Sequence, residues 1–393
     1  MRDVVYLAWR YLVYNRWKSA ILITSIMLIV YLPIGLNVVV EQSAEHLTAR
    51  AAATPLLVGA KGSPLELTLN SLYFSSENPE LIDYSEATLV AESGLADAIP
   101  LYVRFHSRSH PIVGTSLDYF SFHNLSFAAG RPMAVLGECV VGATVAESLG
   151  VKPGDAVISS SETVFDLAGV YPLKMKVTGV LDPVFTPDDD AIFVDVKTAW
   201  IIEGLGHGHQ DLARPEAASG VLSRTNDNIV ANASVVQFNE ITPDNADSFH
   251  FHGDLAGYPL TAVLAVPKDE KSGVILRGRY TDDDANSQIV RPVTVIDELL
   301  DTILTIQQFI VAAVIIVGLA TIATAALVFL LSLKLRRREI DTMHKIGGSR
   351  GRVASMLLAE VFIVVMMSGT LAAAITMVTW RYGPGVIESF VLA

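Results

Sequence analysis

Three long apolar stretches restrict what this 393-residue chain can fold into. They run from Ala20 to Val40, from about Thr302 to Leu333, and from about Ala354 to Trp380. A helix crossing about 30 Å of hydrocarbon needs roughly 20 residues, and each stretch supplies them. A mean hydropathy of +0.44 and a hydrophobic share of 51% agree, because soluble domains sit lower. The first stretch is too long for a cleaved signal segment, and no small-x-small cleavage site follows it. About 260 residues of mixed, turn-rich sequence separate the first stretch from the second.

Basic residues orient the spans. Arg2, Arg10, Arg16 and Lys18 precede the first span. Lys334, Arg336, Arg337, Arg338, Lys345, Arg350 and Arg352 crowd the short loop between the second and third. The positive-inside rule places both segments in the cytoplasm. The long insert from Glu41 to Thr302 holds 36 acidic and 16 basic residues, which places it outside. A net charge of −13 argues against nucleic acid as a partner. Cys139, the single cysteine, excludes an internal disulfide framework, and its apolar run CVVGATV reads as the site of a buried thiol.

The expectation is an α-helical membrane protein with three predicted transmembrane helices and a large extracytoplasmic α+β domain between helices 1 and 2. Residues 1–18 read as an amphipathic helix at the inner interface, in contact with membrane lipid, and 19–41 as the first span. Pro33 and Gly35 predict a tolerated kink in that span. Residues 42–300 form the outer domain, 301–333 the second span, 334–353 a cytoplasmic coupling loop or helix, 354–380 the third span, and 381–393 an outside tail. The lead-in VIDELLDTILTIQQF extends the second helix from about Val295 to Arg338. Some 44 residues at 1.5 Å each reach about 65 Å, about twice the hydrocarbon thickness, so the excess predicts a stalk.

Within the outer domain, PLYVRFHS, SVVQF and TAVLAVP alternate as strands. GECVVGATVAESLGVKPGDAVI reads as strand, short helix, turn and strand; VFDLAGVYPLKMKVTGVL and AIFVDVKTAW add strands and a helix start. This denser block, 136–200, predicts at least two subdomains. The loops FTPDDDA and YTDDDANS read as solvated turns.

The cytoplasmic loop, KLRRREIDTMHKIGGSRGRVASMLLAE, carries Ile340, Met343 and Ile346 among charges and ends at Gly347-Gly348. Apolar residues in a segment facing water favour a docking surface over charges that merely set orientation. No G-x-x-x-x-G-K-[ST] sequence occurs, so the chain has no loop to cradle ATP phosphates. Arg336, Arg337, Arg338, Glu339, Ile340, Lys345, Ile346, Gly347, Gly348, Ser349 and Arg350 resemble the loop after the second helix in the MacB/LolC/FtsX superfamily of ABC transporter permeases. AWRYLVYNRWKSAILITSI is similar to that superfamily's entry helix, and IVGTSLDYF, AAGRP, VVGATVAESLGVKPGDAV and KVTGVL are similar to its periplasmic core.

The resemblance implies a multi-pass inner-membrane subunit, its large domain in the periplasm or outside, with no enzymatic activity of its own. It implies a cytoplasmic ABC ATPase as partner, a second permease copy or related permease, and in some members a periplasmic protein. ATP would act through that partner, whose dimerisation moves the outer domain through stiff helices and so exports or extracts a substrate. An FtsX-like member would use the same motion to regulate a periplasmic enzyme without transport. The superfamily usually has a fourth transmembrane helix, whereas only RYGPGVIESFVLA follows Trp380, which predicts a three-span variant, a re-entrant tail or a truncation.

Two copies of one histidine pattern stand apart from that resemblance: His207-Gly-His209-Gln-Asp211 and His250-Phe-His252-Gly-Asp254. In an extended segment residues i and i+2 point to one side, so each can offer two imidazoles to a metal, with zinc as the candidate. Each Asp can ligate or orient a ring. Leu212 and Leu255 stand where a binuclear hydrolase would carry a further histidine, so hydrolysis is not expected. A zinc-linked transport component and a polar loop that merely holds histidines both fit these segments. Glu360, near the inner end of the third span, predicts a structural ion pair, with Arg352 close in sequence.

Overall fold

The computed structural model describes residues 2–76, 78–160, 172–208, 221–224, 229–231, 239–281, 286–345 and 349–391. In chain order it begins α1 (Arg2–Tyr14), α2 (Arg16–Ala53), β1 (Leu56–Ala60), α3 (Pro64–Tyr73), β2 (Ile82–Asp83), α4 (Ser85–Glu92), β3 (Ala96–Ser107) and β4 (His110–Thr115). Next come α5 (Asp118–Phe122), β5 (Phe127–Gly130), β6 (Glu138–Val141), α6 (Ala143–Leu149), β7 (Ala156–Ile158), β8 (Lys174–Leu181), β9 (Ile192–Asp195), α7 (Val196–Glu203) and β10 (Gly206–Gly208). The remainder is β11 (Val221–Arg224), β12 (Ile229–Ala231), β13 (Phe249–Phe251), β14 (Pro259–Leu260), β15 (Ala262–Pro267), α8 (Glu270–Gly278), β16 (Ser287–Val290), α9 (Pro292–Leu335), α10 (Arg337–Lys345) and α11 (Arg350–Val391).

Two compact units result: Met1–Leu47 with Glu298–Val391, and Thr48–Asp297. In the first, α2, α9 and α11 are long and apolar enough to cross a membrane. Apolar side chains such as Ile316, Leu319, Leu330 and Phe362 stay exposed on them, as lipid-facing residues do. Polar groups tie the helices together where hydrocarbon would otherwise leave them unsatisfied. The Tyr31 hydroxyl on α2 lies 2.8 Å from the Thr379 hydroxyl on α11, Ser368 donates to the Ile23 carbonyl, and Gln307 on α9 donates to Asn37 on α2. The amphipathic α1 packs on α11 and breaks at Asn15, whose side chain donates back to the Tyr11 carbonyl. Helix α11 continues through the expected tail as far as Val391, crossing Pro384.

The second unit is α+β. Among the described residues its main sheet runs β16-β1-β15-β3-β4-β9-β6-β8-β5, with β7 also paired to β8. The pairs β4–β9 and β6–β8 are parallel and the others antiparallel. Central strands carry continuous apolar runs because both faces are covered: every residue of β1 (LLVGA) and β6 (ECVV) is buried. This one sheet joins the dense 136–200 block to the flanking strands, so the expected division into subdomains is corrected. Strand β3 spans PLYVRFHS and β15 lies within TAVLAVP, as the alternation requires, while SVVQF lies outside the described residues. Of VFDLAGVYPLKMKVTGVL, the described part forms β8. Cys139 is fully buried in β6, where desolvation pushes its thiol well above the usual range.

The FTPDDDA loop departs most from expectation. It forms a 3-10 turn over Pro187–Asp190, and Asp188 and Asp189 are buried, not solvated. Asp189 accepts from the amides of Val184 and Phe185. Asp188 meets Arg50, on the last turn of α2, as a bidentate pair at 2.6 and 2.9 Å. The Tyr119 hydroxyl donates to Asp188 at 2.7 Å and accepts from Arg50 at 2.9 Å. Arg50 Nε donates to the Leu72 carbonyl, and its guanidinium lies 5.5 Å from the centre of the Phe74 ring. Gly142 makes the approach possible, since a Cβ there would lie 2.3 Å from the Asp188 and Asp189 carbonyl oxygens.

A buried charge is tolerable only when paired and hydrogen-bonded, and here every guanidinium nitrogen donates, two of them to the Asp188 carboxylate. Burial alone raises the Asp188 carboxyl, but Arg50 with Tyr119 outweighs it and holds the group down at about 2. Burial, then the Arg50 charge, push neighbouring His123 down to about 4, so it stands neutral beside Tyr119. Asp188→Ala should destabilise the chain by about 3–5 kcal/mol, because it strands a buried guanidinium. Thermal unfolding checks this, with Arg50→Met/Asp188→Leu expected to recover part of the loss. Asp188 is depressed in the folded state, so its contribution is full above its unfolded value near 4 and is lost as pH falls towards about 2. Stability measured against pH should show a smaller acid limb in the double variant than in the parent, the remainder coming from carboxylates such as Glu138, which Arg131 holds down.

Candidate functional site

Two places gather the residues singled out by sequence. One is a two-stranded ribbon in the α+β unit, formed by β10 and β13 in antiparallel register. Gly206 faces Phe251, His207 faces His250 and Gly208 faces Phe249. Alternation puts Phe249 and Phe251 on one face and His250 and His252 on the other. The aromatic face is packed down: Phe251 stands edge-on to Trp200 of α7 at 6.3 Å and to Tyr258 at 5.8 Å. Glycine is required opposite those rings, since a Cβ at Gly206 or Gly208 would come within 2.5 Å of Phe251 or Phe249. The Tyr258 hydroxyl lies 2.9 Å from the His252 carbonyl and 3.2 Å from the Leu205 carbonyl, pinning both strands.

The opposite face therefore presents imidazoles. Ring centres of His207, His250 and His252 are 4.8 to 5.1 Å apart. One ring nitrogen from each lies within 4.8 Å of the others. His207 and His250 are half-buried and His252 is exposed. His250 Nδ1 is 2.9 Å from the Ser248 carbonyl, which must accept, so Nδ1 carries the proton and the basic lone pair sits on Nε2. His207 and His250 come from different H-x-H segments, which spacing along the chain does not reveal. Asp254 is occupied otherwise: it caps a 3-10 turn by accepting from the Ala256 amide and is not in the three-histidine group. His209 and Asp211 lie outside the described residues.

The other place is the connection between α9 and α11. Arg337, Arg338, Glu339, Ile340, Met343 and Lys345 lie on α10, while Ile346, Gly347 and Gly348 lie outside the described residues. Arg337, Arg338 and Lys345 are exposed and Ile340 is half-buried; Ser349 and Arg350 are exposed where α11 begins. Arg336, at the turn between α9 and α10, has its guanidinium 3.4 Å from the centre of the Tyr11 ring. The same guanidinium donates to Glu360 at 3.1 Å, so the partner of Glu360 is Arg336 and not the sequence-near Arg352. The pair locks the start of α10 to α1 and α11 inside one unit, which no linear spacing indicated.

The fold defines a helix-anchored α+β domain of the kind found outside membranes. The sequence model of the MacB-like periplasmic core domain family matches residues 20–241, more than half of the chain, and the chain belongs to that family. It is a permease-type component of an ABC transporter, and its three apolar helices fit an inner-membrane protein. Among solved structures, it is similar to the periplasmic region of MacB from Actinobacillus actinomycetemcomitans at 10% identity. That match covers 63% of this chain and 92% of the other, with a TM-score of 0.35. It is also similar to the extracellular domain of the noncanonic ABC-type transporter YknZ from Gram-positive bacteria, at 11% identity over 60% of this chain and 98% of the other, TM-score 0.32. No curated protein matches the chain.

Removing Glu360 takes away the carboxylate to which the Arg336 guanidinium donates among the helices. Glu360→Ala is expected to cost about 3–5 kcal/mol, read as a lower unfolding temperature in detergent. Glu360→Gln, which keeps an acceptor for the guanidinium, should cost less.

Proposed function

We infer that the chain is the membrane subunit of a MacB-type ABC transporter that passes movement driven by a separate ATPase to its outer domain. The observation that carries this reading is α10, a short basic helix joining two membrane-length helices. Its exposed arginines and half-buried Ile340 offer a compact, mixed surface of the sort a cytoplasmic partner can grip. Stiffness supports the same role. The 44 residues of α9 would measure about 66 Å if straight, about twice the hydrocarbon thickness. Helix α2 is likewise continuous over 38 residues, and its last turn carries Arg50 into the buried pair with Asp188. A continuous helix of this kind can carry a displacement along its own length.

The work done outside is export or extraction of a substrate on that side of the membrane, through a homodimer or a pair with a related permease. Co-purification of an ABC ATPase with the full chain from native membranes tests the coupling. Ile340→Asp and the pair Arg337→Glu/Arg338→Glu should each reduce the ATPase recovered by about tenfold or more, about 1.4 kcal/mol of binding. Undiminished recovery in both variants would count against α10 as the docking element. Transport-deficient vesicles in which the ATPase still cycles with the chain would favour an FtsX-like regulator instead.

A further inference from the structure

We propose that His207, His250 and His252 form a binding site for a divalent transition-metal ion, with zinc as the natural occupant. The assignment rests on the ribbon's construction and not on histidine content. Three imidazoles from two strands, far apart in sequence, converge on one face of a β-pair whose other face is nailed to the core by Phe249, Phe251 and Trp200. The geometry is close to what ligation needs. Three nitrogens at about 2.05 Å from a tetrahedral zinc lie about 3.3 Å from one another. The observed separations are within 4.8 Å, so small rotations about χ1 and χ2, easiest for exposed His252, close the set.

The tautomer also suits the role. His250 donates from Nδ1 to the Ser248 carbonyl, the outer-shell arrangement that orients a ligating imidazole and raises the basicity of Nε2. Chemistry then selects the ion. Three neutral nitrogen donors without a carboxylate suit zinc, copper or nickel and not magnesium or calcium, which take oxygen. Three protein ligands leave a fourth position for water or an incoming group. The excess of acidic over basic residues in the outer segment, 36 against 16, concentrates cations around the site. When filled, the site would staple β10 to β13. This proposal stands apart from the coupling through α10, and neither requires the other.

The test uses the full chain in detergent, stripped of metal and titrated with Co²⁺ and then Zn²⁺. One Co²⁺ per chain should bind with the visible absorption of a four-coordinate nitrogen site, and Zn²⁺ should displace it while Mg²⁺ and Ca²⁺ do not. His207→Ala, His250→Ala and His252→Ala should each weaken Zn²⁺ binding by roughly 10- to 100-fold or more. His106→Gln, an imidazole on β3 outside the cluster, should leave it unchanged. The cobalt spectrum of the parent chain is decisive even where a variant folds poorly. Absence of that spectrum, or zinc affinity undiminished in the triple variant, would overturn the proposal.

Discussion

The Arg50–Asp188 pair is the contact around which the last turn of α2, the end of α3 and the turn before β9 are assembled within the α+β unit. Helix α2 ends at Ala53, and beyond it the chain enters β1 within a few residues. Arg50 reaches sideways from that last turn into a pocket made by Leu72, Phe74, Tyr119 and Asp188. Each of the three guanidinium nitrogens has an acceptor, which is what makes a buried guanidinium sustainable.

The same logic of one face fixed and one face free governs the histidine ribbon. A two-stranded ribbon is marginal by itself, so its position is set by whatever its covered face binds. Here that is the aromatic cluster of Trp200, Phe251 and Tyr258, reached only because Gly206 and Gly208 carry no side chains. Consequently the imidazoles are held by a rigid neighbourhood although one of them is exposed. At the opposite end of the chain the Arg336–Glu360 pair, capped by the Tyr11 ring, plays the equivalent part for α10.

Much of this was legible in the sequence, and the reason is periodicity. The three apolar helices, the long α9, strands β3 and β15, and the β6-α6-β7 run follow from local composition and from turn residues such as Gly150, the left-handed end of α6. The site was legible in part. Two H-x-H segments marked a candidate metal centre, yet their offsets suggested two equivalent half-sites with an Asp each. In the structure the His207 ring lies against both His250 and His252, and Asp254 caps a turn. An Asp that caps a tight turn and an Asp aimed at a metal look alike in one dimension.

Sequence by itself determined that the chain carries three apolar helices of membrane length, a large acidic segment between the first two and a basic segment between the second and third. Hydrocarbon thickness and charge asymmetry act on composition alone, so no tertiary contact is needed to read them. Only the tertiary structure decided which charges are buried and with whom. FTPDDDA looks like a solvated turn until Arg50, more than a hundred positions earlier, is placed beside Asp188. Glu360 looks paired with Arg352 until helix packing brings Arg336 nearer. The cost of burying a charge depends on its neighbours in space, and those neighbours are set by the closing of the sheet and the packing of the helices.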